Sequence, residues 1–159
     1  MSEAILRQLV VREPQCDPHT VAIELAHEAL RTAFGPQWRV RVLLPVALDE
    51  ESEPVPDISV APGGSEATPS RLALVVEIAM SRLALERDFK GSFYARGRVP
   101  EYWIVNLNGR VLEVYREPVA EASALYGWAY RSVERLQTGA HVSPLAARKA
   151  RVPVLDLLP

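Results

Sequence analysis

The sequence predicts an α/β domain, a β-sheet covered by helices. Three observations lead there. Short apolar segments of strand length alternate with two helix-length amphipathic stretches. The order is strand, helix, three strands, helix, two strands and a strand-rich tail, which suits neither a helix bundle nor a regular sandwich. The most apolar segment, residues 72–79, is bounded and short, as a buried strand is. With 159 residues, 48% hydrophobic and 24% charged, one domain spanning 1–159 is expected. A chain this long removes roughly 70% of its unfolded surface from water, so it needs no covalent staple. Cys16 is the single cysteine, which excludes a disulfide scaffold.

Residues 4–12 are rich in branched apolar side chains and stop at Glu13-Pro14, the pattern of a strand. Asp17 is suited to cap a helix and Pro18 to open it, because its missing N–H has no partner there anyway. Val21, Leu25 and Ala29, with Ala22, Ala26, Leu30 and Ala33, form the apolar stripe, and Gly35-Pro36 ends it. Glu24, His27, Glu28 and Arg31 make the polar face. Residues 38–45 alternate apolar residues with Arg39 and Arg41, a half-buried strand. An acidic loop over 49–54 leads to a strand over 57–60, closed by Pro62-Gly63-Gly64. After the buried 72–79 segment, residues 81–96 read as a helix with Gly97 as its cap. Strands 102–105 and 111–115 flank Asn106-Leu107-Asn108-Gly109, a hairpin signal. Weaker strand patterns fall at 130–136 and 152–155.

Charge narrows the function classes. Eighteen Lys and Arg against 20 Asp and Glu give −2, which excludes a polybasic binder. Residues 1–70 hold five Arg and 11 acids (net −6), and residues 71–159 hold 13 basic and nine acidic residues (net +4). A nucleic acid would meet the second half; acidic loops such as 49–53 read equally as solvated. No run approaches the roughly 20 apolar residues of a membrane span. The first residues carry Glu3, Arg7, Arg12 and Glu13 and no apolar signal core, so a cytoplasmic protein with no membrane partner is expected.

Several catalytic signatures fail. His27-Glu28 opens a zinc-protease helix, but Arg31 stands where the second histidine belongs. Cys16 and His19 have metal-like spacing without a second pair. Phosphate-loop, nucleophile-elbow and dinucleotide fingerprints are missing. What remains is Asp57 at the head of one strand and Glu77 inside the next. A carboxylate within Val75-Val76-Glu77-Ile78 is costly unless a cation or donor neutralises it. Either Glu77 meets an arginine such as Arg82 or Arg87 in a structural pair or lies on the open side of the sheet, or it joins Asp57 in an all-oxygen site suited to Mg²⁺.

Pro56-Asp57, Glu77-Ile78-Ala79, Glu86-Arg87-x-x-Lys90, Tyr94-Ala95-Arg96 and the run Val99-Pro100-Glu101-Tyr102-Trp103-Ile104-Val105-Asn106 resemble the putative restriction endonuclease family of bacterial hypothetical proteins, a branch of the PD-(D/E)XK nuclease superfamily. The likeness extends from Pro18-His19 to Val142-Ser143-Pro144-Leu145 and Asp156-Leu157-Leu158. It implies a restriction-endonuclease-like mixed β-sheet core flanked by helices, with additional C-terminal strands. It implies Asp57 and Glu77 as metal ligands, joined by the Ile78 carbonyl. The superfamily's usual lysine would fall at Ala79; in this branch it comes from the next helix, where Lys90 stands. A helix from about Ser81 sets Glu86, Lys90 and Tyr94 on one face, with Arg87 beside them. The compact ammonium of Lys90 approaches a water more closely than a guanidinium does, although an ordinary pair with Glu86 is the alternative.

The chain departs from the family at Met80, Arg82 and Glu86, and it does not reveal the supporting N-terminal acid, for which Glu24 and Glu28 are the candidates. The expected activity is Mg²⁺-dependent endonuclease hydrolysis of phosphodiester bonds in DNA, with Mn²⁺ as a substitute and a homodimer as an open assembly state. Asp57, Glu77 and Lys90 are the expected catalytic residues, and Arg87, Arg96 and Arg98 the phosphate contacts. The alternative is a catalytically degenerate member that binds nucleic acid or a protein partner.

Overall fold

The computed structural model describes residues 17–49, 52–64 and 67–159. The strand expected over 4–12 and Cys16 lie outside them. Asp17 caps helix α1 (Pro18–Phe34): its carboxylate accepts from the His19 N–H at 3.0 Å and from the Thr20 hydroxyl at 3.2 Å. Gly35, at φ +81°, turns the chain out of the helix in a conformation that glycine adopts freely.

Strands β1 (Trp38–Val42), β2 (Ile58–Pro62), β3 (Leu74–Ala79), β4 (Glu101–Asn106), β5 (Val111–Ala120) and β6 (Trp128–Leu136) form one sheet in sequence order. Among the described residues only β3 and β4 run parallel, joined by a helical crossover. The other neighbours are antiparallel. Strands β7 (His141–Val142) and β8 (Val152–Pro153) form a separate short pair, followed by a 3-10 turn at Val154–Leu157. The mixed sheet flanked by helices is the architecture the sequence predicts. Boundaries differ. The strand expected over 38–45 stops at Val42, because Leu43 takes φ +51°, and the one expected over 152–155 gives way to the 3-10 turn after Pro153. The β4–β5 hairpin is closed by Asn106, whose side-chain oxygen accepts from the Gly109 N–H, and Arg110, not Gly109, takes the positive φ.

Side chains alternate across the sheet, so β3 faces two cores. Val76 and Ile78 pack with Ala22, Ala26 and Leu30 of α1, while Val75 and Ala79 pack with Tyr94, Ala95 and Tyr102 on the crossover side. Burial on both faces explains the near-continuous apolar run. It also places Glu77 beneath the crossover helix.

That helix is irregular. Its segment Leu85–Lys90 is π-helical and runs into α2 (Gly91–Arg96). The Gly91 N–H reaches the Glu86 carbonyl, a five-residue step, and the same carbonyl accepts from the Tyr102 hydroxyl at 2.9 Å. Gly97 ends the helix at φ −72°, and Arg98 takes the positive φ of +58°. Gly97 sits close against Leu48: a Cβ there would lie 3.1 Å from that side chain, which would have to give by a few tenths of an ångström.

Candidate active site

The antiparallel register sets Ile58 opposite Val76, so Asp57 stands beside Glu77 at the end of β2. The two residues are tied reciprocally. The Asp57 N–H donates to Glu77 Oε1 at 3.0 Å, and the Ile78 N–H donates to Asp57 Oδ2 at 2.7 Å. From the crossover helix, the Tyr94 hydroxyl donates to Glu77 Oε2 at 2.8 Å, and Lys90 Nζ lies 3.1 Å from the same oxygen. Lys90 Nζ is also 3.1 Å from Glu86 Oε1. His19, in the first turn of α1, brings Nε2 to 3.4 Å from Asp57 Oδ2.

Glu77 is only 2% exposed. Burial pushes its carboxyl up to about 7, with Lys90 opposing and Asp57 adding to the rise. Burial also raises Glu86 against the pull of Lys90. For Lys90, burial acts downward, but Glu77 and Glu86 outweigh it and hold the ammonium above the ordinary lysine value. The lysine therefore makes the Glu86 pairing weighed as its alternative and reaches Glu77 as well, where the sequence offers Arg82 or Arg87 as the structural partner.

The donor set fits a hard cation. Among the described residues no group of three or more His, Cys, Asp and Glu side chains is arranged to hold a metal. An ion here would rest on two carboxylates, a main-chain oxygen, and water or phosphate oxygens, the coordination Mg²⁺ accepts. The N–H and C=O of a strand residue leave on one edge, so the Ile78 carbonyl faces the side on which its N–H meets Asp57. No hydrogen bond from the described residues reaches Asp57 Oδ1, and Glu86 Oε2 is buried without a partner. Both are unused acceptors.

Other expected residues lie elsewhere. Arg87 does not join the lysine. Its guanidinium is spent on Glu113 of β5, with Nε at 2.9 Å from Oε1 and Nη2 at 2.5 Å from Oε2. Glu113 is fully buried; burial works to raise its carboxyl, but the Arg87 and Tyr115 hydrogen bonds prevail and hold it low. This arginine is a strut of the fold rather than an open phosphate contact. Arg96 stacks 4.7 Å above the Tyr126 ring and 5.4 Å above Phe93, and Arg98 lies 5.3 Å above Trp128. Arg96 also reaches Asp49 at 3.4 Å. Glu24 and Glu28 are exposed on α1, where Glu28 lies 3.7 Å from Arg31. Met80 and Arg82 are exposed too. His19 was not legible as an Asp57 neighbour, because nothing in the first turn of a capped helix says which strand end it meets.

The site is thus a mixed sheet with two carboxylates at adjoining strand ends and a lysine from the crossover helix. The fold is shared with a putative nuclease belonging to DUF820 from Anabaena variabilis ATCC 29413, at a TM-score of 0.66 and 17% identity, over 88% of this chain and 79% of that one. No curated protein matches the sequence. The sequence does match the family Uma2, described as putative restriction endonuclease, over residues 3–152, and the chain belongs to that family. Among the described residues no helix is long and apolar enough to cross a membrane.

Proposed function

We propose that this protein is a metal-dependent endonuclease that hydrolyses phosphodiester bonds in DNA, acting in the cytoplasm. The observation that carries the reading is the meeting of Asp57, Glu77 and Lys90 at one strand end, with Lys90 Nζ 3.1 Å from Glu77 Oε2. A Mg²⁺ ion held by Asp57, Glu77 and the Ile78 carbonyl would polarise the scissile phosphate and lower the pKa of a water. The chain's own groups hold the site in shape. The Asp57 N–H and the Tyr94 hydroxyl fix the two oxygens of Glu77, and the Ile78 N–H fixes Asp57. An ammonium has three donors, of which Glu77 and Glu86 take two. The third is left to orient the attacking water or to offset charge on the phosphate in the transition state. Arg96 and Arg98 would contact the phosphate backbone, which confers affinity without sequence choice. A homodimer is the assembly in which two such sites would address two strands.

The test is cleavage of plasmid and single-stranded DNA with Mg²⁺ or Mn²⁺. Wild type should nick, and Lys90→Ala should lose about 10²–10³-fold in rate while keeping its fold and metal binding. Glu77→Gln should lose metal binding as well. Equal residual cleavage by wild type and Lys90→Ala would assign the activity to a contaminant. A wild type that binds metal yet cleaves no DNA would establish the degenerate, binding-only alternative.

A further inference from the structure

The polar face of β1 carries a second concentration of charge. We propose that Arg39, Arg41 and Arg71 form an oxyanion site that takes a phosphate group, separate from the Asp57–Glu77 centre. The three line a cavity of about 190 Å³ together with Gly63, Gly64 and Pro69. Arg39 and Arg71 are exposed on its rim, whereas Arg41 is only 4% exposed.

Arg41 breaks the rule that this fold otherwise keeps. Its other well-anchored guanidiniums meet buried carboxylates: Arg87 meets Glu113, and Arg116 meets Glu101 at 2.7 Å. Arg41 instead donates to two neutral carbonyls, Pro45 O at 2.9 Å and Ala67 O at 2.8 Å. Its Nε is buried without a partner. Directly across the sheet, its register partner Ser59 buries a hydroxyl that also has none. Among the described residues no carboxylate pairs with Arg39, Arg41 or Arg71. Burial, then the neighbouring Arg39, lowers the Arg41 pKa, as expected of a cation with no counter-charge among the described residues.

A buried cation without an anion is unfavourable. An oxyanion in the cavity would relieve it, and planar guanidinium donors match phosphate oxygens in pairs. The phosphate can come from a nucleic-acid strand or from free phosphate. Arg41 and Asp57 share one sheet face, since Arg41 stands opposite Ser59 and Ser59 lies two residues from Asp57. The inference is independent of whether Asp57 and Glu77 cleave DNA.

The experiment is done in EDTA, so that no cleavage intervenes. Thermal melts with inorganic phosphate are compared with chloride at equal ionic strength, and anisotropy follows a labelled oligonucleotide, single-stranded or duplex. Wild type and Glu77→Gln should both gain Tm from phosphate by binding linkage. The double variant Arg39→Gln/Arg71→Gln, altered only at exposed positions, should lose that gain, and Arg41→Lys should weaken it. If a strand supplies the phosphate, the double variant should bind the oligonucleotide about tenfold more weakly, with a salt dependence shallower by about 0.7–0.9 per lost contact. If free phosphate is the ligand, oligonucleotide affinity should hold while the phosphate response disappears. The proposal falls if the double variant keeps both the phosphate response and the oligonucleotide affinity, or if chloride gives wild type an equal gain.

Discussion

Replacing Glu77 by Gln should stabilise the metal-free protein at neutral and alkaline pH. The carboxyl is 2% exposed, and burial raises its pKa from 4.5 to about 7. The folded state therefore holds a proton that the unfolded chain releases at lower pH. Stability from this group is complete below about pH 4.5 and is lost as pH rises to about 7, by about 3 kcal/mol in all. A glutamine cannot ionise, so it escapes that loss. Its amide oxygen can keep the Asp57 N–H, but its amide nitrogen then stands where Tyr94 and Lys90 donate to Oε2. Losing the lysine contact returns about 1 kcal/mol. The net expectation is a gain of about 2 kcal/mol at pH 8, or about 4–8 °C in Tm, and a loss of about 1 kcal/mol at pH 4, where nothing offsets the missing lysine contact. Urea titrations in EDTA across pH 4–8 measure it. A variant less stable than wild type at pH 8, or one with an unchanged slope between pH 4.5 and 7, would refute the claim that an ionised Glu77 is strained by burial.

Mg²⁺ should raise the Tm of wild type and release protons on binding, because the ion competes for the carboxyl that burial keeps protonated; Asp57→Asn should lose most of the effect, and an equal response would remove Asp57 from the site. Arg87→Met should destabilise by about 3 kcal/mol in urea by stranding the buried Glu113, and should leave oligonucleotide affinity intact where the protein stays folded. A selective loss of affinity at unchanged stability would restore Arg87 as a phosphate contact. Gly97→Ala should cost about 1 kcal/mol, since its Cβ would press on the Leu48 side chain at 3.1 Å; Leu48→Ala in the same background should recover part of the added loss.

The alternation of apolar residues, the Asp17-Pro18 cap and the Gly35-Pro36 stop are local rules, so α1, the strand cores and the crossover were legible in the sequence alone. Glu77 was legible as an anomaly for the same reason: a carboxylate in a doubly buried strand requires a partner wherever the strand lies. Its place beside Asp57 depended on register, which a hydrophobic pattern specifies by face but not by neighbour. The Lys90 ammonium could be placed on a helix face, yet which of two carboxylates it served was not a sequence property, and it serves both. Arg87 shows the limit most clearly. It is adjacent in sequence to Glu86, but the π-helical stretch and the width of the sheet carry it to Glu113, 26 residues away. The same holds for Arg41, whose alternation predicted a polar face, while burial by segments near Pro45 and Ala67 was set by packing of distant chain. Local propensity and patterning thus determined which elements form and which residues are out of place in them. The partner of each buried charge was decided only when separated strands and helices closed on one another, because Coulombic pairing depends on distance in space and not along the chain.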